Sequence, residues 1–264
     1  MFDAHCHLRD ERILPYHERY VQDALAAGVT ACIDCACRPE EWAMEVECAL
    51  EVTTAYGLHP WYAGVACPDW AEYLEGCLKR DPKALVGEIG LDGIRKVADN
   101  GIAQRAALQT QLELAARYNR PVVLHGARAW APLIKEIEPW AGRIPAWMFH
   151  GASFNPKMLE QSAFLKRDDV WFGVGCGLLT RGAQNLPNLV AALPLERVVV
   201  ETDSPDMFPR GGEPLVLGQW HALFNQPGNL PLVLVALAQL RNVPIFELME
   251  QTEANTRAFI SARL

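Results

Sequence analysis

Apolar positions along the chain fall into short runs separated by longer amphipathic stretches. Eight runs stand out: FDAHCH (2–7), VTACIDC (29–35), TAYGLHP (54–60), ALVGEIG (84–90), PVVLHG (121–126), AWMFHG (146–151), VWFGVG (170–175) and RVVVETD (197–203). They are rich in β-branched and aromatic residues and bounded by Gly, Pro or charge, which predicts buried parallel strands. The segments between them, 17–27, 38–51, 68–80, 101–119, 130–138, 156–166 and 185–193, have helical spacing. In the clearest, IAQRAALQTQLELAARYN, residues Ala106, Leu108, Leu112, Leu114 and Ala115 fall near one face, and Pro121 lies beyond its end. Eight strands alternating with helices over this length predict a (β/α)8 TIM barrel occupying 1–264 as a single domain. A doubly wound sheet has the same alternation, but no G-x-G-x-x-G follows the first run.

The polar residues embedded in these runs sit at their C-terminal ends. His5 and His7 close the first run, His59 the third, Glu88 the fourth, His125 the fifth, His150 the sixth and Asp203 the eighth. In a barrel these ends form one rim, where catalytic residues are expected. An H-x-H pair alone is a weak signal, and a single strand His or Glu is more often a satisfied core group. Burying four imidazoles (His5, His7, His125, His150) and two carboxylates (Glu88, Asp203) together without a cation is costly, so a metal centre is the economical explanation. The six suffice for two metals sharing one carboxylate. Glu201 shares Asp203's face two residues earlier, either orienting a ligand histidine or serving as a structural group of the barrel interior. His17 and His221 end no strand and read as structural.

Composition narrows the classes. The net charge is −8 and no Lys/Arg run exceeds two, which argues against a nonspecific grip on long duplexes and leaves short, local nucleic-acid contacts. The opening residues lack a signal-peptide pattern and no apolar stretch reaches membrane-spanning length, so a soluble cytoplasmic protein without membrane association is expected. Of eight cysteines only Cys32, Cys35 and Cys37 cluster, and without a second C-x-x-C they read as buried reduced thiols.

FDAHCHL, GLHP, VGEIGLD, PVVLHGARAW, FHGASF, ETDSP and EANTRAFI, in that order from residue 2 to about residue 260, resemble the TatD-family metal-dependent hydrolases (TatD-like deoxyribonucleases) of the amidohydrolase-like barrel superfamily. The resemblance implies a distorted barrel with two divalent metals acting as a nuclease or other phosphoester hydrolase. One metal would rest on His5, His7, Glu88 and Asp203, the second on Glu88, His125 and His150, with Glu88 bridging and His59 touching substrate phosphate. Asp203 would also accept the proton of the attacking water, so Asp203 and Glu88 are the catalytic pair. Three departures fall in substrate-facing loops: Gly93 replaces an aromatic residue, His150 is followed by Gly-Ala-Ser-Phe, and Arg128 comes three rather than two residues after His125.

Arg128 and Arg210 are candidate phosphate grips, and Trp61, Trp130 and Phe208 candidate stacking surfaces. The leading expectation is a 3′-5′ exonuclease on single-stranded nucleic-acid ends, or an enzyme of small phosphoesters, with no obligate protein partner. The alternative is an amidohydrolase on a small C–N or ester substrate, disfavoured because Glu88 stands where a carboxylated lysine would bridge. A non-enzymatic metal-binding module is a third class, at odds with an intact ligand set. The donor types favour Zn²⁺, Mn²⁺ or Fe²⁺, while the resemblance implies activity with Mg²⁺ or Mn²⁺, leaving Zn²⁺ as a bound ion.

Overall fold

The computed structural model describes residues 1–94, 100–180, 185–209 and 224–263. Strands β1 (Phe2–Cys6), β2 (Ala31–Ala36), β3 (Glu51–Tyr56), β4 (Leu85–Gly90), β5 (Val122–His125), β6 (Trp147–Phe149), β7 (Val170–Val174) and β8 (Val198–Val200) pair in chain order as one parallel sheet. The sheet closes on itself through the segment after β8. Cys6 bridges Ser204, His7 N donates to Ser204 O at 2.8 Å and Asp203 N donates to His5 O at 2.9 Å. The fold is the expected (β/α)8 barrel, and the doubly wound alternative is ruled out by this closure.

Nine α-helices are present among the described residues: α1 (His17–Ala26), α2 (Pro39–Trp42), α3 (Trp70–Arg80), α4 (Asn100–Arg117), α5 (Trp130–Ile137), α6 (Pro156–Gln161), α7 (Asn185–Ala192), α8 (Leu230–Arg241) and α9 (Ile245–Ser261). Their apolar faces and the outward strand residues form one buried cluster that includes Leu74, Leu112, Trp147, Phe149 and Phe172. A second cluster, with Ala4, Ile33, Cys35, Ala55, Leu85, Val123, Met148 and Val199, takes the other face of the strands and fills the barrel interior. This two-sided burial is why the strands read as continuous apolar runs. Helix α9 seals the β8–β1 seam: Phe259 joins the inner cluster and Asn255 Nδ2 donates to the carbonyls of Leu195 and Val198.

Several elements differ from the sequence pattern. The stretch 38–51 forms helix only over Pro39–Trp42. The Arg9 guanidinium takes the Met44 carbonyl, the Trp42 indole donates to the carbonyls of Ala36 and Gly57, and the chain at Glu51 is already paired with Ala31 in the sheet. Strand β3 therefore starts three residues before the apolar run, on residues whose partly exposed side chains hide it. Helix α6 stops at Gln161, where 156–166 was expected. On α4 the inward face carries Ala107 rather than Ala106, and it buries two glutamines. Gln111 accepts from Leu58 N (2.6 Å) and Gln104 accepts from Asp92 N (2.9 Å), fixing the loops that follow β3 and β4. Helix α9 forms over the EANTRAFI motif, and α8 forms in a stretch where the pattern predicts no element.

Candidate metal centre

Closure of the barrel brings the polar strand ends together. His5 ends the inward face of β1, and His7 follows it one turn of the pleat later, both beside Asp203 of the β8 exit. Asp203 adopts φ +55°, a left-handed conformation uncommon for a non-glycine residue and characteristic of functional sites.

Glu88, buried on β4, lies at the centre, and its two oxygens face different donors. Oε2 lies 3.3 Å from His5 Nε2 and 3.9 Å from His7 Nε2. Asp203 Oδ1 completes that group at 3.6 Å from His5 Nε2 and 3.3 Å from His7 Nε2. Oε1 lies 2.6 Å from His125 Nδ1, 3.8 Å from His59 Nε2 and 3.8 Å from His150 Nε2. His150 Nε2 also reaches Asp203 Oδ2 at 3.7 Å, and its ring stacks on His5 at 3.7 Å between centroids. His59, expected to meet substrate rather than an ion, stands 3.3 Å from His125 Nδ1 and forms with it and Glu88 a cluster of ligand type.

The electrostatics follow from this crowding. Burial opposes charge on Glu88, but His150, His125, His5 and His59 outweigh it and hold the carboxyl well below the usual range. Asp203 is likewise lowered, burial being overcome by His150 and the hydrogen bond from His7. Burial would depress His125 and His150 too. Glu88 and Asp92 raise His125 to about 9, and Glu201, Asp203 and Glu88 raise His150 to about 10. His59 goes the other way, to about 3, through burial and the neighbouring His125.

The far nitrogens of the ligand-type histidines are held from behind. His7 Nδ1 donates to Cys35 O at 2.9 Å, and His125 Nε2 lies 3.0 Å from Asp92 Oδ2, which also accepts from Trp61 Nε1 at 2.8 Å. His150 Nδ1 makes a charge contact at 2.9 Å with Glu201 Oε1, an oxygen that accepts from Gly151 N at 2.6 Å. Glu201 fits only because the adjacent strand has Gly173: a Cβ there would lie 2.2 Å from Glu201 Oε2. Such outer contacts fix ring orientation in metal sites.

Two groups escaped the sequence reading. Asp92 had only its place in GEIGLD to mark it, and Cys35 and Cys37 looked like core thiols. In the structure Cys35 Sγ lies 3.3 Å from His5 Nδ1, and Cys37 Sγ lies 3.6 Å from His7 Nδ1 and 3.9 Å from Glu88 Oε2. Among the candidate substrate contacts, Arg128 is exposed near the rim, and Trp61 stands at the mouth, edge-on to His59. Trp130 is instead buried against Gly126, and Phe208 is half-buried. Arg210 and His221, with part of the loop after Gly93, lie outside the described residues.

This donor set fits divalent ions. Five buried or half-buried imidazoles and two carboxylates converge, and among the described residues no Lys or Arg pairs with Glu88 or Asp203. Oxygen and imidazole donors at this spacing suit first-row transition ions and, at the carboxylates, Mg²⁺.

Comparison with known proteins bears on what such a rim does. The family model for TatD related DNases matches residues 2–261. The 3'-5' ssDNA/RNA exonuclease TatD of Pantoea ananatis is 29% identical over 268 residues, spanning 97% of this chain and 98% of that protein. The uncharacterized metal-dependent hydrolase YjjV of Escherichia coli K12 is 30% identical over 267 residues, spanning 96% of this chain and 95% of its own. The crystal structure of E. coli YjjV, a TatD homologue, matches with a TM-score of 0.83 at 29% identity, over 98% of this chain and 97% of that one. A TatD-family hydrolase of Entamoeba histolytica shares the fold, with a TM-score of 0.84 at 17% identity over 98% and 97% of the two chains.

Proposed function

The chain belongs to the TatD-related DNase family, and from that premise we propose that residues 1–264 act as one metal-dependent phosphoester hydrolase, a 3′-5′ exonuclease on single-stranded nucleic-acid ends. The observation that carries the reading is the division of Glu88, with Oε2 facing His5 and His7 and Oε1 facing His125, His59 and His150. A carboxylate so placed would serve an ion on each of its two sides. His5, His7 and Asp203 would hold one with Glu88, and His125 and His150 the other, with His59 beside it at the substrate. Relatives named as single-strand exonucleases and an acidic chain that needs only a few phosphate contacts both support an end-directed enzyme.

Divalent ions bound there supply Lewis acidity toward a phosphoryl group and a water activated at neutral pH. The chain's own residues do the rest. Asp203, ionised and partly open to the mouth, accepts the proton of the attacking water at its carboxylate. Glu201, Asp92 and the Cys35 carbonyl keep His150, His125 and His7 in fixed orientations. A cavity of about 390 Å³ opens over the centre, lined by His59, Trp61, Tyr62, Asp92 and Met207 among others. Trp61 is 40% exposed there and offers a stacking face for a terminal base, with Arg128, and Arg210 by the resemblance, as phosphate contacts. We assign Mg²⁺ or Mn²⁺ as the activating ions, with Zn²⁺ as a bound ion. Among the described residues no single helix is long and apolar enough to cross a membrane.

The test is a screen of 3′- and 5′-labelled single-stranded DNA, RNA and a generic phosphodiester with Mg²⁺, Mn²⁺ and Zn²⁺ supplied separately. Stepwise shortening from the 3′ end, abolished by chelation, is expected. Hydrolysis of small amides with every phosphodiester left intact would overturn the reading.

A further inference from the structure

Strand β2 sends Ile33 and Cys35 into the barrel interior, and the same alternation carries Cys37, just past the strand end, to the level of the ligand-type side chains. The loop there is fixed: Cys37 N donates to Glu41 Oε2 at 2.7 Å, and Arg38 Nε donates to Glu41 Oε1 at 2.8 Å. Its thiol lies beside two of those side chains, 3.9 Å from Glu88 Oε2 and 3.6 Å from His7 Nδ1, the ring nitrogen that donates to the Cys35 carbonyl. Cys37, His7 and Glu88 each offer a donor atom within 4.8 Å of the others. Donor atoms around a tetrahedral ion with bonds of about 2.0–2.3 Å stand about 3.3–3.8 Å apart. The Glu88 Oε2 to Cys37 Sγ and Glu88 Oε2 to His7 Nε2 separations, both 3.9 Å, are close to that spacing. Cys37 also lines the cavity over the centre.

Building on the two-ion reading above, we propose that Cys37 is a sulfur ligand of the ion on the His7 side of Glu88. Coordination replaces the thiol proton, which leaves to solvent as the sulfur–metal bond forms. The consequence is an asymmetric centre. A thiolate among imidazole and carboxylate donors selects thiophilic ions such as Zn²⁺ and disfavours Mg²⁺, whereas the Glu88 Oε1 side, with only nitrogen and oxygen donors, accepts Mg²⁺ or Mn²⁺. One resident ion and one exchangeable ion follow from the chain's own chemistry.

Metal-stripped full-length protein titrated with Co²⁺ tests this without recourse to activity. Visible ligand-field bands report ion binding at the rim, and a near-ultraviolet sulfur-to-cobalt charge-transfer band reports a thiolate ligand. Wild type should give both. Cys37→Ser and Cys37→Ala should keep the visible bands and lose the charge-transfer band, while Cys35→Ser should keep both. Zn²⁺ affinity of the Cys37 variants should fall by more than the about 10- to 100-fold typical of losing an outer contact, with Mn²⁺ affinity little changed. Visible bands without a charge-transfer band in wild type, or a band that survives Cys37→Ser and vanishes in Cys35→Ser, overturns the proposal while leaving the metal centre standing. Absence of every cobalt band removes the centre itself, and the proposal with it. If the Cys37 variants fail to fold, a wild-type charge-transfer band that persists in Cys35→Ser supports the assignment, and a wild-type spectrum without that band or a band lost in Cys35→Ser overturns it.

Discussion

Asp203 is pulled in two directions by its surroundings. Burial favours its neutral form, yet His150 and His7 keep it ionised, and its backbone is bent to φ +55° to aim it into the mouth. Asp203→Asn preserves the shape and one coordinating oxygen but removes the basic carboxylate. A loss in kcat of about 10²–10⁴-fold is expected, read by steady-state kinetics alongside metal content. A variant with near-normal kcat would assign the base elsewhere. The histidines give a pH dependence with a definite sign. His125 and His150, raised to about 9 and about 10, carry protons at neutral pH when no ion is bound, and an ion can take them only as neutral imidazoles. Affinity for the ion on the His125 and His150 side of Glu88 should therefore rise with pH through the neutral range, up to tenfold per pH unit for each proton displaced, and level off above about 10. Calorimetry in buffers of different ionisation enthalpy would count the released protons, and binding that strengthens on acidification would contradict the assignment.

At the scale of the element, most strands supply ligand-type groups at one end, and some also support their neighbours' groups. Strand β7 carries no ligand-type group at the rim, but Gly173 leaves the space into which Glu201 of the β8 exit fits. Gly173→Ala would place a Cβ 2.2 Å from Glu201 Oε2 and 2.7 Å from its Cδ, displacing the carboxylate that steadies His150. Ion affinity should drop by about 10- to 100-fold, measured by titration calorimetry, although no ligand has been touched. Gly177→Ala, whose Cβ would meet nothing nearer than Leu186 Cδ2 at 3.4 Å, is the control expected to bind normally. Helix α4 shows the same division of labour: Gln104 and Gln111 occupy positions on its buried face and hold the backbone of the Asp92 and His59 loops.

For the whole molecule, the rim exists only when the barrel is closed, because His7 and Asp203, 196 residues apart, meet across the β1–β8 seam. An unfolded chain has no such site, so bound ions should stabilise the native state. Ion at about 100 times its dissociation constant contributes about 2.7 kcal/mol. Chelation should accordingly lower the unfolding midpoint of wild-type protein by several degrees and leave Glu88→Ala unaffected, as followed by circular dichroism. Equal responses in the two proteins would detach the ions from the rim.

Much of this was legible in the residues. The apolar runs mark all eight strands because both faces of a barrel strand are buried, and the polar residues that interrupt the runs, from His5 to Asp203, mark the rim because little else tolerates charge at a strand end. The resemblance of those motifs to one hydrolase family rests on the same residues. What the chain alone left open depends on its long-range contacts. The spacing of 38–51 is helical, yet Arg9, Trp42 and the pairing of Glu51 with Ala31 impose another path. Cys37 and Asp92 belong to the site only because of what stands opposite them, and Glu88 divides between two donor groups only once β1, β5 and β6 surround it. Local periodicity is set by each residue's nearest neighbours in the chain. Which side chains face one another across a barrel is set by closure, and closure is decided only in three dimensions.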